Sequence, residues 1–307
     1  MKDLRYHLTF HASLDGQLLR DALAQFGISK RTLTAIKFRG GALLVNGEEQ
    51  NVRHPLTEGD EIKVIFPKEE MSVGLIPEKG RLTICYEDQA LLIVEKPDGQ
   101  SSIPSHDHPT GSMANKIAGH LQEQDVASTV HIVTRLDRDT SGLMCIAKHR
   151  HIHHLLSEAQ KSHTIHRTYE ALVHGHVKED FQQIIAPIGR KAGSIIEREV
   201  TEDGQYAHTD VTVLNRFNTN GEEVSHVRLT LHTGRTHQIR VHLSSIGHPL
   251  LGDDLYGGKC TLIRRQALHC VSLKLQHPLS QEEMIWYSNL PEDMEHILLS
   301  HSNSGVN

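Results

Sequence analysis

The chain has 307 residues, 37% of them hydrophobic and 23% charged, with a formal net charge of -6 at neutral pH and 25 histidines. That composition excludes a disordered or fibrous chain and leaves room for a sizeable catalytic unit beside a small accessory one. No apolar run approaches a membrane span, the start Met1-Lys2-Asp3-Leu4-Arg5 lacks a signal-peptide core, and four cysteines without a Cys-x-x-Cys pair fit a reducing cytoplasm. The negative balance speaks against a uniformly basic surface, although binding to nucleic acid depends on where the positive groups lie.

The first elements lie between Ser13 and Phe66. Leu14 to Leu23 has helical apolar spacing closed by Gly27, and Ser29 is placed to cap a second helix, Lys30 to Phe38. That helix carries Lys30, Arg31 and Lys37, with Arg39 just beyond. Ala42 to Val45, the turn Asn46-Gly47, and Ile62 to Phe66 after Glu58-Gly59-Asp60 read as strands with tight-turn chemistry. Ser29-Lys30-Arg31, Val45-Asn46-Gly47 and Gly59-Asp60-Glu61-Ile62, in this order, resemble the S-four-type RNA-binding domain, a small α/β module assigned to residues 13–67. The family's opening Arg-Leu-Asp stands as Ser13-Leu14-Asp15, so any grip on RNA comes from the helix face with Lys30, Arg31, Lys37 and Arg39.

A charged, proline-punctuated stretch at residues 68–80 reads as a linker, and a larger unit runs over residues 81–295. Its first strands are Leu82 to Tyr86 and Leu91 to Lys96, followed by the turn Lys96-Pro97-Asp98-Gly99. In Thr134-Arg135-Leu136-Asp137-Arg138-Asp139-Thr140-Ser141-Gly142 one carboxylate stands between two guanidiniums, an arrangement expected to hold Asp137 ionised for nucleophilic or general-base chemistry. His149, His151, His153 and His154 follow on a helix from His151 to Ser162. No His-Glu-x-x-His occurs and no acidic residue stands at ligand spacing before Glu158, so no metal centre is expected and the histidines read as an exposed helix face. Strands are expected around Tyr169, Val211 and Leu229. Alternation over Val227 to His232 places a strand before a loop carrying Arg235 and Arg240, and residues 296–307 read as a frayed tail.

The ordered set Glu95-Lys96-Pro97-x-Gly99, Arg135-Leu136-Asp137-x-x-Thr140-Ser141-Gly142, Arg167-x-Tyr169-x-Ala171, Pro187-Ile188-Gly189-Arg190, Gly234-Arg235-Thr236-His237-Gln238-Ile239-Arg240-Val241-His242 and Gly252-Asp253-x-x-Tyr256-Gly257 resembles the RluA-type pseudouridine synthase family. With the N-terminal module the likeness is greatest to the D-type enzymes acting on large-subunit ribosomal RNA. The resemblance implies an α+β fold with a long mixed, mainly antiparallel sheet and a central cleft. It implies an isomerase that needs no cofactor, has RNA as its partner, with ribosomal RNA ahead of transfer RNA, and turns uridine into pseudouridine. It makes Asp137 the catalytic carboxylate, as nucleophile or as a group assisting base departure and proton removal. Arg135 fills the space of an extruded uridine. Tyr169 is the active-site tyrosine, which stacks on the uracil and can assist removal of its ring proton. Arg240 is the chosen ion-pair partner of Asp137 with Arg235 as rival, and Ile239 or Val241 forms an apolar wall under the base. The family's usual His before the arginine stands here as Thr134. The alternative is a catalytically silent RNA-binding or ribosome-assembly factor on the same fold.

Overall fold

A computed structural model describes residues 5–126 and 128–302. The N-terminal unit comprises β1 (His7–His11), α1 (Leu19–Gln25), α2 (Lys30–Phe38), β2 (Ala42–Val45), β3 (Glu48–Glu49) and β4 (Glu61–Ile65), with sheet order β1-β4-β2-β3. Ser29 caps α2, its hydroxyl accepting the Thr32 N–H at 3.1 Å. Leu19, Leu23, Ile36, Ile62, Val64 and Phe66 fill a core of its own, while Lys30, Arg31, Lys37 and Arg39 stay exposed beside Phe38.

The larger unit continues with β5 (Thr83–Glu87), β6 (Leu91–Lys96), α3 (Met113–Glu123), β7 (His131–Ile132), β8 (Ser141–Ala147), α4 (Arg150–Lys161), β9 (His166–His174), β10 (Phe181–Ile185), β11 (Ile188–Arg190) and β12 (Arg198–Val200). Then come β13 (His208–Thr219), β14 (Glu222–Leu231), α5 (Gln238–Ser245), a 3₁₀ turn at Asp254–Tyr256, β15 (Leu268–Gln276), β16 (Glu283–Tyr287) and α6 (Glu292–Ser302). Its main sheet runs β10-β13-β14-β9-β15-β8-β6-β5, with β16 on β15 and β7 on β8. The pairs are antiparallel except β8 with β15, which makes the sheet mixed but mainly antiparallel. All seven residues of β8 are buried, as a central strand covered on both faces requires. Gly142 permits the β8–β15 crossing: its φ is 112° and a Cβ there would strike the Cys270 backbone. Among the described residues no helix is long and apolar enough to cross a membrane.

Three expectations are corrected. Residues 68–80 carry no helix or strand, yet they are not a free tether. Glu69 is buried against His131 (2.6 Å), His149 (3.1 Å) and the Arg150 N–H (2.9 Å), Ser72 bonds Thr129, and Asn115 donates to the Ile76 carbonyl. A carboxylate taken out of water needs such partners, and they strap the segment to the larger unit. The histidines are not one exposed face either: His149 and His151 are 4% and 2% exposed. His149 stacks on Tyr6 with ring centroids 4.4 Å apart, and His151 on Phe66 at 5.2 Å, so these imidazoles form an aromatic seam between the two units. Finally, α6 extends through Ser302 and buries Met294 and Ile297 against Phe217 and Leu251, so its apolar face holds much of the expected tail in place. Residues 303–307 lie outside the described residues.

Candidate active site

Asp137 sits in a turn fixed from every side. Thr134, 1% exposed, accepts the Cys145 N–H at 2.9 Å and ties the segment to β8. The Ser102 hydroxyl donates to the Leu136 carbonyl (2.6 Å) and accepts the Leu136 N–H (3.1 Å). Lys96, 1% exposed, donates to the carbonyls of Pro97, Gln100 and Arg138, each at 2.7 Å, joining the turn after β6 to the Asp137 turn. Burial pulls its ammonium down to about 8, held there against further loss by Asp139, Asp98 and Asp137. Thr140 donates its N–H back to the Asp137 carbonyl and accepts from Gln266, and Arg265 donates to the Asp139 carbonyl. So many anchors hold the Asp137 carboxylate in one position although it stands on a loop.

The guanidiniums adjacent in sequence do not hold Asp137. Arg138 donates to the Gly99 carbonyl and lies 3.9 Å from Asp139, while Arg135 is exposed at the cavity rim. The partner is Arg240, whose Nη1 stands 3.4 Å from Asp137 Oδ2. Its Nε and Nη2 are taken by Asp253 Oδ2 and Oδ1 at 2.7 and 2.8 Å, and the Asp253 side chain is fully buried. This bidentate fork leaves one N–H edge aimed at Asp137. Burial opposes the Arg240 charge most strongly, but the Asp253 hydrogen bonds together with the attraction of Asp253 and Asp137 raise its pKa further. Arg240 comes from a helix rather than the expected loop: β14 is followed by a short turn, and α5 starts after His237 in the left-handed region (φ 56°). Arg235 occupies that turn, exposed, donating to the Tyr206 carbonyl at 2.9 Å.

A cavity of about 480 Å³ opens over Asp137, within the range of small-molecule sites. Tyr169, 3% exposed on β9, lines it with Val133, Leu136, Leu231, Ile239 and Leu268. Burial raises the Tyr169 phenol above its usual range, so at neutral pH it stays protonated, a stacking surface and hydrogen-bond donor rather than a standing base. Ile239 belongs to this wall. Val241 does not: it packs with Ile188 and Ala207, because residues two apart on a helix face opposite ways. Lys30, Arg31, Lys37 and Arg39 do not line the cavity and form no ion pair among the described residues.

His237, Asp253, Tyr256 and Arg167 also belong to the site and had not been singled out as functional residues. The Tyr256 hydroxyl accepts the Arg198 N–H and lies 2.8 Å from His237 Nδ1; donating its proton there leaves His237 Nε2–H facing Asp137 Oδ2, 3.9 Å away. Burial, then Arg240 and Arg198, lower the His237 pKa against the pull of Asp137. The only signal for these residues was their membership of the motif strings.

The sequence of residues 90–245 matches the RNA pseudouridylate synthase model. The chain belongs to that family. The synthase is 50% identical to the uncharacterized RNA pseudouridine synthase YjbO of Bacillus subtilis (strain 168), over 91% of this chain and 98% of that one. It is 36% identical to ribosomal large subunit pseudouridine synthase D of Pseudomonas aeruginosa, over 91% and 90% of the two chains. The structure of human RNA pseudouridylate synthase domain containing 1 superposes with a TM-score of 0.57 at 26% identity, covering 69% of this synthase and 86% of the human chain. Both the sheet with its central cleft and the isomerase activity are therefore those of RNA pseudouridine synthases.

Proposed function

We propose that this RNA pseudouridine synthase isomerises uridines of large-subunit ribosomal RNA in the cytoplasm, with Asp137 as its catalytic carboxylate. The relatives named for the ribosomal large subunit, matched over nearly the whole chain, support the substrate, and the free cysteines suit the compartment. The observation that carries the catalytic assignment is the relay Asp253–Arg240–Asp137 on the floor of a cavity walled by Tyr169.

A stacked uridine cannot reach such a floor. It must be extruded, at a cost of a few kcal/mol, and Arg135 at the rim is positioned to fill the vacated stack. The flipped uracil then lies against Tyr169 and Ile239. The bond between ribose C1′ and uracil N1 breaks, the base turns, C5 joins C1′, the C5 proton leaves and N1 gains one, so atoms and charge balance without a cofactor. Asp137 supplies the carboxylate beside the sugar, and Arg240 holds it aimed. The N-terminal unit adds a basic helix face for flanking RNA, through Lys30, Arg31, Lys37 and Arg39.

The test is Asp137→Asn assayed on large-subunit RNA fragments. Pseudouridine formation is expected to fall by at least about a thousandfold, with RNA affinity within about twofold of the parent. Parallel loss of both would make Asp137 a folding or binding residue. Mapping pseudouridines in cells lacking the protein identifies the target, and unchanged ribosomal RNA would refute the substrate assignment.

A further inference from the structure

Outside the cleft, one side-chain cluster is built in a way the isomerisation does not require. His208 and Asp210 lie two apart on β13 and so share one face of the sheet, and His232 follows the end of β14, which pairs antiparallel with β13. His208 Nε2 stands 3.0 Å from Asp210 Oδ1, and His232 Nε2 stands 2.7 Å from Asp210 Oδ2. The two imidazoles are stacked, with centroids 4.0 Å apart and planes 17° apart, so their Nε2 atoms turn toward the same carboxylate. One donor atom from each residue falls within 4.8 Å of the other two.

We propose that His208, Asp210 and His232 form a site for one divalent transition-metal ion of zinc-like preference, which braces the corner from which α5 carries Arg240. A zinc ion with bonds of about 2.0–2.1 Å in tetrahedral array needs donor atoms about 3.3 Å apart, a few tenths of an ångström wider than the two imidazole–carboxylate spacings and inside the 4.8 Å that bounds all three donors, so side-chain rotation alone can adjust them. Two imidazoles and a carboxylate select a borderline ion over calcium or magnesium, which require shells of oxygen ligands. The side chains are 15%, 19% and 44% exposed, so an ion can enter from solvent and keep water in its remaining positions. Gln183 donates to Asp210 Oδ1 at 3.0 Å, an outer contact that orients the carboxylate.

The position of the cluster gives the ion a structural consequence. The His208 N–H donates to Thr233 Oγ1, and Gln238, the first residue of α5, donates to the His208 carbonyl (3.0 Å) and to Thr209 Oγ1 (2.9 Å). Clamping His208 to His232 therefore fixes the turn that carries Arg235 and seats the start of α5.

Binding is read without activity, so the outcome is separable from the isomerase assignment. Chelator-treated full-length protein is titrated with Zn²⁺ by calorimetry and with Co²⁺ by visible absorption, beside His232→Ala, Asp210→Asn and the control His154→Ala. One equivalent is expected in the parent and in the control, with Co²⁺ ligand-field bands and a Zn²⁺-dependent rise in melting temperature. In His232→Ala and Asp210→Asn that equivalent weakens at least about tenfold and the melting shift disappears. His232 is the most exposed member, so its truncation leaves the fold intact, as circular dichroism verifies. Identical titrations in parent and His232→Ala, or no binding in the parent, would overturn the proposal and leave a hydrogen-bonded His-Asp-His cluster alone.

Discussion

Acid should unfold this synthase well above the pH at which its carboxylates titrate. Burial pushes His149, His151 and His269 down to about 4 each, and all three are at most 4% exposed. They are neutral in the fold but charge near 6.5 in the unfolded chain, so the unfolded state binds more protons between those values. Stability is thus fully present above pH 6.5 and is lost as pH falls toward 4. At about pH 5 each imidazole costs about 2 kcal/mol, or about 6 kcal/mol together, comparable with the entire stability of an ordinary domain. Glu69, held down to about 2 although burial opposes its charge, loses its contribution only between 4.5 and 2, below the pH of about 5 at which the histidine loss is measured. Urea unfolding followed through the single tryptophan, Trp286, at about pH 7.5 and about pH 5 measures the loss. Among the described residues His151 has no hydrogen-bond partner at either ring nitrogen, so His151→Leu sacrifices none of the described bonds and should remove about a third of the pH dependence. A stability that is flat over this range, or a His151→Leu protein that loses as much as the parent, would refute the reasoning.

Three further outcomes follow from the geometry. Asp253→Asn leaves a buried guanidinium short of its counter-charge and is expected to cost about 3–5 kcal/mol in chemical denaturation, with kcat falling at least about tenfold and RNA affinity retained; an unchanged kcat would separate Arg240 from catalysis. Tyr169→Phe keeps the ring and should retain substrate binding measured by fluorescence anisotropy, whereas Tyr169→Ala should lose about 1–3 kcal/mol of it; equal affinities would exclude stacking. Replacing Lys30, Arg31 and Lys37 by Ala should reduce the slope of log affinity against log salt by about 2 to 3, and an unaltered slope would remove α2 from the RNA interface.

The parts of the synthase legible in its sequence are those where local chemistry and tertiary role coincide. Ser29 before an amphipathic run gives a capped helix because its hydroxyl meets the Thr32 N–H in any context. The apolar run Leu91 to Lys96 becomes the buried strand β6 because little in it can face water. Asp137 was legible through its turn and its motif, and Arg240 was named as its partner through the family resemblance, whereas local charge pointed to the wrong guanidiniums. Arg135 and Arg138 are its neighbours in sequence, and the backbone directs one to the rim and the other to Gly99, so the pairing falls to Arg240, 103 residues away. Likewise, the alternation over Val227 to His232 does not announce the left-handed His237 that starts α5, nor the Tyr256 hydroxyl 2.8 Å from its ring. The histidines of α4 misled for a related reason: imidazole has no fixed polarity, and only the docked Tyr6 and Phe66 make His149 and His151 core residues.

The distribution of charge in the site explains why these non-local contacts matter. Asp137 keeps 29% of its side chain exposed, whereas Asp253 keeps none and Arg240 only 8%. A carboxylate that is to meet a substrate cannot be surrounded by its own counter-ion, since bidentate pairing would occupy the oxygens required for chemistry. The synthase divides the task. Asp253 takes the strong fork of the guanidinium in a dry position where it cannot react, and Asp137 receives from Arg240 one longer contact at 3.4 Å that leaves its oxygens accessible. Removing Asp253 should therefore disturb the Asp137 carboxylate more than its distance from the cavity implies, because the freed guanidinium can turn its whole fork onto Asp137 and mask it.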